Sequence, residues 1–221
     1  MRFIHASALA AAGLLAMGAQ EHGALPSADA VVAELEAGNA HFVAKQYQHP
    51  HQTAARQKAL SSGQTPHCAI LACADSRVPP EILFDQGLGD IFDVRVAGNI
   101  AGDAETASIE YAAEHLHVPL VVVMGHQHCG AVSAALEGGT LPGKLPSLVA
   151  AIQPAVDQSA HETGDRVDNA VRDNVVNVVA QLRAAKPVLS ELVATGKLRI
   201  VGAVYSLDTG KVNWLPEAGK K

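Results

Sequence analysis

The sequence predicts a single α/β domain with a mainly parallel central sheet, flanked by helices and preceded by an N-terminal helical arm. Apolar runs of strand length alternate with segments of helical periodicity, which is the pattern of a parallel sheet covered on both faces. The 221 residues, of which 48% are hydrophobic, suffice for one sizeable core. Metal-binding residue types follow two of the apolar runs, at the strand ends where such sheets place their ligands.

The predicted elements follow from local signals along the chain. Ser27 is a suitable N-cap for the first helix, whose apolar residues recur at helical spacing. We expect helices at 29–44 and 53–60, a strand at 67–72, a short helix at 80–84, a strand at 91–96, a helix at 104–117, a strand at 120–124, a helix from 129, helices at 145–160, 166–185 and 188–195, and strands at 198–207 and 211–215.

Composition argues against two classes of partner. The net charge is −6 and no cluster of Lys and Arg stands out, whereas phosphate binding requires a basic surface. Aromatic residues make up only 4%, which offers few stacking platforms for bases. We therefore expect no nucleic-acid partner. Beyond the N-terminus there is no apolar run of about 18 residues, so we expect no membrane span in the mature chain.

The N-terminal residues differ in composition from the rest. Arg2 is followed by an apolar stretch rich in Ala and Leu that ends near Ala19, and the chain then turns polar. This pattern predicts a signal peptide over 1–19 and a periplasmic or secreted protein, or a cytoplasmic one if it is not cleaved. The alternative is a buried or amphipathic N-terminal helix. After a signal peptide, a helical arm would cover 20–63, the α/β domain 64–216 and a tail 217–221.

Two thiols and an imidazole follow the ends of two predicted strands. Cys73 follows the strand at 67–72, and His126 and Cys129 follow the strand at 120–124. Together they form a Cys₂His set, a catalytic zinc arrangement that leaves the fourth position open. We expect one Zn²⁺ per chain. His128 lies in the same loop and is a rival ligand.

Asp75 and Arg77 lie two residues apart just after Cys73, so their side chains can point the same way and pair. The pair either stiffens the loop or has a chemical role, in which Arg77 orients Asp75 and keeps it ionised.

The Cys-Ala-Asp-Ser-Arg run at 73–77 and the Gly-His-x-x-Cys-Gly run at 125–130 resemble the β-class carbonic anhydrases. Segments at 93–99 and 108–112 resemble the same family in the same order, and the resemblance covers about residues 30–214. It implies reversible hydration of carbon dioxide to bicarbonate by a zinc-bound hydroxide. In this reading Asp75 accepts a hydrogen bond from the hydroxide. In some family members the matching aspartate itself binds zinc and closes the site.

The plant-like subgroup of this family is the better match for the substrate pocket. Gln64 stands where that subgroup has an amide donor to the substrate oxygen, and Phe92 and Tyr111 match the aromatic residues that line the pocket. The N–H of Gly130 opens a helix and could support a sulfur or a substrate oxygen. Each also has a structural interpretation: a turn residue for Gln64, a strand-core residue for Phe92 and a helix-core residue for Tyr111.

The resemblance also implies a homodimer or a larger homo-oligomer, with N-terminal helices reaching the partner and the pocket at the interface. Two observations favour assembly. The helix at 29–44 has no obvious place in the compact α/β unit, and the apolar strand at 198–207 is long enough to pair as an exposed sheet edge. Two alternative functions stay open: a same-fold hydrolase of carbon disulfide or carbonyl sulfide, and a non-catalytic zinc-binding module with a closed site.

Overall fold

The computed structural model describes residues 26–217, so the predicted signal peptide lies outside the described residues. Within this part the helices are α1 (Ala28–Ala44), α2 (Ala54–Ala59), α3 (Pro80–Leu83), α4 (Asp103–Glu114), α5 (Gly130–Glu137), α6 (Leu145–Ser159), α7 (Arg166–Ala184) and α8 (Val188–Ala194). The strands are β1 (Cys68–Ala72), β2 (Ile91–Arg95), β3 (Leu120–His126), β4 (Arg199–Tyr205) and β5 (Val212–Trp214). None of these helices is long and apolar enough to cross a bilayer.

The strands form one five-stranded sheet in the order β2-β1-β3-β4-β5. The first four strands are parallel and β5 is antiparallel to β4. The predicted fold class, a single α/β domain with a mainly parallel sheet, is therefore confirmed. Ala72 at the end of β1 is in register with Arg95 of β2 and Met124 of β3, so the loops after these strands leave the sheet side by side.

Each face of the sheet has its own hydrophobic core. One core, which includes Ile70 and Val122, is shared with α1 and α3. The other, which includes Leu71 and Val123, is shared with α4, α7 and α8. Side chains of β1 and β3 point alternately into the two cores, as the period of a strand requires, and both strands are buried along their whole length. The central strands are therefore a rigid base for the loops that follow them.

Helix α1 packs against the sheet of its own chain. Ser27 caps it, accepting a hydrogen bond from the N–H of Ala30 at 3.2 Å. Val31 and Leu35 are buried in the first core. The expectation that this helix lacks a place in the compact unit is therefore wrong, because its apolar face covers the sheet that would otherwise be exposed.

The long apolar strand at 198–207 forms β4, which pairs with β3 on one side and β5 on the other. It is an interior strand, so the expectation that it offers an exposed edge for pairing with a second sheet is wrong. Ser206 and Gly210 close the turn that brings β5 back onto it, since the N–H of Gly210 donates to the carbonyl of Ser206 at 2.9 Å. Because the turn brings β5 alongside β4, the backbone of β4 is hydrogen-bonded on both sides.

Candidate metal centre

The sheet brings the three predicted ligands together. Cys73 follows the last residue of β1, His126 is the last residue of β3, and Cys129 is the N-cap of α5. The neighbouring ends of β1 and β3 place the first two side by side, and the turn between β3 and α5 returns Cys129 to the same point. Their ligand atoms all lie within 4.8 Å of one another, and all three residues are buried.

His126 presents a free ring nitrogen to the two sulfurs. Its Nδ1 donates to the carbonyl of Gln127 at 2.8 Å, which leaves Nε2 as the nitrogen with the lone pair. Nε2 is buried and has no protein hydrogen-bond partner. A metal-binding histidine usually donates a hydrogen bond from one ring nitrogen and binds the metal through the lone pair of the other. His128, the rival ligand, is exposed and lies outside the cluster.

The electrostatics of the two thiols also favour a cation. The pKa of Cys73 is lowered, first by its interaction with the Cys129 thiol and then by the His126 imidazole and the backbone amides of Gly98 and Asp75, while burial opposes the shift. The pKa of Cys129 is raised, first by the same shared hydrogen bond and then by burial. A second thiolate beside the first therefore requires a positive charge, which a divalent ion supplies. Two thiolates and one imidazole at this spacing fit zinc.

Asp75 and Arg77 form a bidentate pair at the edge of this cluster. Nε of Arg77 donates to Oδ1 of Asp75 at 2.9 Å and Nη2 donates to Oδ2 at 2.7 Å. The pKa of Asp75 is held well below its usual value, chiefly by these hydrogen bonds from the Arg77 side chain. The carboxylate is thus fixed and ionised, and it stands outside the group of three ligands.

Arg95 is a site residue that the sequence analysis missed. Its Nε donates to the carbonyl of Cys73 at 3.0 Å and its Nη2 to the carbonyl of Asp75 at 2.5 Å. Arg95 therefore fastens the backbone of the loop that carries both the first ligand and the carboxylate. A signal existed, because Arg95 is the single cation of β2 and stands at its end, beside β1.

The predicted substrate-pocket residues are not gathered at the cluster within one chain. Phe92 is in register with Ala69, at the opposite end of β1 from Cys73, and its ring centroid lies 6.1 Å from that of Tyr111. Tyr111 is 48% exposed. Gln64 is also exposed and precedes β1. Gly130 alone is adjacent, as the first residue of α5 directly after Cys129.

Comparison with known proteins identifies the family. The model of the carbonic anhydrase family matches residues 68–212. Carbonic anhydrase 2 of Mycobacterium tuberculosis is 45% identical over 193 residues, covering 85% of this chain and 93% of the relative. A β-carbonic anhydrase of Sordaria macrospora, from a study describing two tetrameric enzymes, superposes with a TM-score of 0.68 at 27% identity, covering 86% of this chain and 98% of the other. The chain belongs to the β-class carbonic anhydrases.

A second structure supports the same assignment. The β-carbonic anhydrase of Coccomyxa, solved in complex with acetazolamide, superposes with a TM-score of 0.67 at 27% identity and covers 86% of this chain and 83% of its own. The predictions of a β-class carbonic anhydrase and of carbon dioxide hydration are confirmed by these findings. The β-carbonic anhydrases depend on zinc, and the Cys73, His126 and Cys129 cluster of this chain has the residue types that fit such an ion.

Proposed function

We propose that this carbonic anhydrase hydrates carbon dioxide reversibly at one zinc ion per chain, held by Cys73, His126 and Cys129. The observation that carries the proposal is the buried, unpartnered Nε2 of His126 facing two thiols. A bound zinc ion lowers the pKa of a coordinated water to about 7 and so supplies a nucleophile at neutral pH. The protein contributes the dry cluster and the side chains around it.

Asp75 and Arg77 then orient the nucleophile. Arg77 occupies both carboxylate oxygens, so the remaining lone pairs of Asp75 are fixed in direction. An ionised carboxylate is an acceptor only, and it therefore accepts a hydrogen bond from the attacking oxygen and selects the lone pair that faces carbon dioxide. The bidentate pair supports the open form of the site, because releasing Asp75 to become a fourth ligand would break both hydrogen bonds.

The substrate pocket in this proposal is of the plant-like type and is completed by a second copy of the chain. Gln64 would donate its amide to the developing bicarbonate, and Phe92 and Tyr111 would form the apolar wall for carbon dioxide. The exposure of Gln64 and Tyr111 supports this assembly, since residues of a pocket are otherwise shielded. The Sordaria enzymes are described as tetrameric, which supports a homodimer or a multiple of one.

A carbon dioxide hydration assay on metal-quantified protein tests the proposed function. We expect activity proportional to zinc content, loss of activity with a chelator, and recovery when zinc is returned. Parallel assays with carbon disulfide and carbonyl sulfide test the same-fold hydrolase, and we expect carbon dioxide to be strongly preferred. Zinc-loaded protein without hydration activity would contradict the proposal and favour the non-catalytic zinc-binding module.

We also propose that the protein is exported and loses residues 1–19, which leaves the arm at 20–63, the catalytic domain at 64–216 and the tail. The support is compositional: one basic residue, an apolar stretch and small residues near Ala19. Mass spectrometry of the protein from its native host tests this proposal. A periplasmic or secreted chain that begins near residue 20 is expected, and a cytosolic chain that still begins at Met1 would contradict it.

A further inference from the structure

The backbone of Gly98 approaches the metal cluster closely. Its N–H donates to Sγ of Cys73 at 3.3 Å. Gly98 has φ +73°, and a Cβ at this position would lie 2.6 Å from Cδ1 of Ile152 and 3.2 Å from Cβ of Ala131. The left-handed backbone and the packing both require glycine here. The loop after β2 therefore supplies the first ligand with a backbone donor that no side chain could replace.

A glycine has more accessible backbone conformations than any other residue, so its conformation must be fixed by contacts with other residues. Besides the contact with Cys73, Gly98 has a contact with α7. Nδ2 of Asn174 donates to the carbonyl of Gly98 at 2.8 Å. Asn174 is only 2% exposed, and it lies in α7, which packs along β3 and β4. One residue is thus fixed at both ends: its N–H faces the Cys73 sulfur and its C=O faces the Asn174 amide.

We propose that Asn174 is a positioning residue of the metal centre, which acts through Gly98 on the thiolate of Cys73. This inference rests on the proposed function, since it requires Cys73 to be a zinc ligand. An N–H donor on a thiolate fixes the direction of the sulfur and so holds it in place towards a metal. Loss of the Asn174 amide would free Gly98 to rotate, and the Cys73 sulfur would lose its donor.

A matched asparagine on the same helix separates this role from a purely structural one. Asn169 is 7% exposed, and its Nδ2 donates to the carbonyl of Thr163 at 3.1 Å. Asn169→Leu and Asn174→Leu therefore each remove an amide-to-carbonyl hydrogen bond from α7, and Asn169→Leu also removes the bond that Nη1 of Arg172 donates to Oδ1 at 3.2 Å. Both variants should lose stability, but only Asn174→Leu should change the metal centre.

The experiment uses the full chain loaded with cobalt for spectroscopy and with zinc for release to a chromogenic chelator. We expect Asn174→Leu to shift the thiolate-to-cobalt charge-transfer band and to weaken zinc binding by about 10- to 100-fold. Asn169→Leu should match the wild type in both measurements. An Asn174→Leu protein with a wild-type spectrum and wild-type zinc release would overturn the inference. A wild-type protein that binds neither metal would instead refute the proposed function.

Two further measurements keep the inference testable if Asn174→Leu does not fold. Asn174→Ala removes the same donor with less steric demand and should show the same changes. In wild-type protein loaded with ¹¹³Cd, the Gly98 amide proton should show scalar coupling to the metal through the N–H···S hydrogen bond. Absence of that coupling would overturn the inference without any variant.

Discussion

Nε2 of His126 lies 3.9 Å from Oδ2 of Asp75. The two groups stand side by side without a hydrogen bond, because Arg77 holds the carboxylate and Gln127 holds the far side of the ring. The carboxylate is therefore close enough to reach a molecule bound at the cluster, yet is restrained from joining it. Mutation of Asp75 or Arg77 can therefore change hydration activity without removing a ligand of the proposed zinc site.

The first prediction is that Asp75→Asn keeps zinc but loses hydration activity by about 100-fold or more, because an amide can present a donor where an acceptor is required. Arg77→Ala should also lower activity, since it frees the carboxylate. The measurements are hydration rates across pH 7–9 and zinc content per chain. Arg172→Ala, which breaks ion pairs with Glu162 and Asp173 rather than one with Asp75, is the control. Wild-type rates for Asp75→Asn would show that Asp75 has no such role.

The second prediction concerns the ligands themselves. Cys73→Ser and Cys129→Ser should each lose zinc and activity together, because a hydroxyl is a poor zinc ligand beside a thiolate. Cys68→Ala is the matched control: Cys68 is also buried and is the first residue of β1, the strand that Cys73 follows, but it belongs to the core shared with α1. It should retain zinc and cost about 1 kcal/mol of stability. Full zinc content in either serine variant would contradict the ligand assignment.

The third prediction follows from Asp93 on the edge strand β2. Its pKa is raised from 3.8 to about 7, first by burial and then by the nearby charge of Glu81. The folded state therefore binds more protons than the unfolded state between about pH 4 and pH 7, and stability should fall as the pH rises through that range. Asp93→Asn removes this loss. We expect it to be more stable than wild type by about 1–2 kcal/mol at pH 7.5, a discounted value because solvent screens the partly exposed carboxyl.

Urea unfolding of wild type and Asp93→Asn at a series of pH values measures the effect. The metal cluster is the same in both proteins, so its own pH dependence cancels in the difference between them. That difference should be small near pH 4 and grow towards pH 7.5. A difference that stays constant between pH 5 and pH 8 would mean that Asp93 titrates normally in the folded protein.

The fourth prediction tests the place of α1. Nδ2 of Asn39 donates to the carbonyls of Leu83 and Gly210, both at 3.0 Å, and its Oδ1 accepts from the N–H of Val212 at 2.9 Å. Asn39→Ala leaves these backbone groups without their partner and should cost about 2–4 kcal/mol in urea unfolding. Asn213→Ala, at an exposed position of β5, should change stability little. Equal midpoints for the two variants would show that α1 is loosely attached.

The sequence predicted the elements well because their signals are local. Apolar periodicity and the Ser27 cap placed α1 correctly, and the motifs at 73–77 and 125–130 placed Cys73 and His126 at neighbouring strand ends. It could not predict how distant segments meet. The side chain of Asn39 reaches the β4–β5 turn more than a hundred residues away. Nothing in the local pattern signals such a contact, and the interior position of β4 was missed for the same reason.

Asn174 and Arg95 are two residues near the metal cluster whose contacts the sequence also could not predict. Each acts on a backbone carbonyl of a loop that only the folded sheet brings near it. Backbone carbonyls have no sequence signature, since every residue has one. The Cys73, His126 and Cys129 cluster was predictable because metal binding requires particular side chains at particular spacings, whereas the residues that support such a cluster can be of many types.

The last prediction concerns the pocket that one chain leaves incomplete. If Gln64 serves the zinc site of the partner chain, two inactive variants should complement each other. Cys73→Ser lacks zinc but keeps Gln64, and Gln64→Ala keeps zinc but lacks the amide. In a mixed dimer, zinc of the second chain meets Gln64 of the first. With random exchange about half of the dimers are mixed and each has one complete site of two, so about a quarter of wild-type activity should return.

The mixture of Cys73→Ser with Cys129→Ser is the control, because neither chain holds zinc and no activity should return. Light scattering on each sample should confirm that dimers or larger assemblies form and that exchange has occurred. Complementation would mean that assembly is part of catalysis, since a lone chain leaves Gln64 and Tyr111 in solvent. A fully active monomer, or mixed dimers without recovered activity, would instead place the whole pocket within one chain and require Gln64 to act from its own loop.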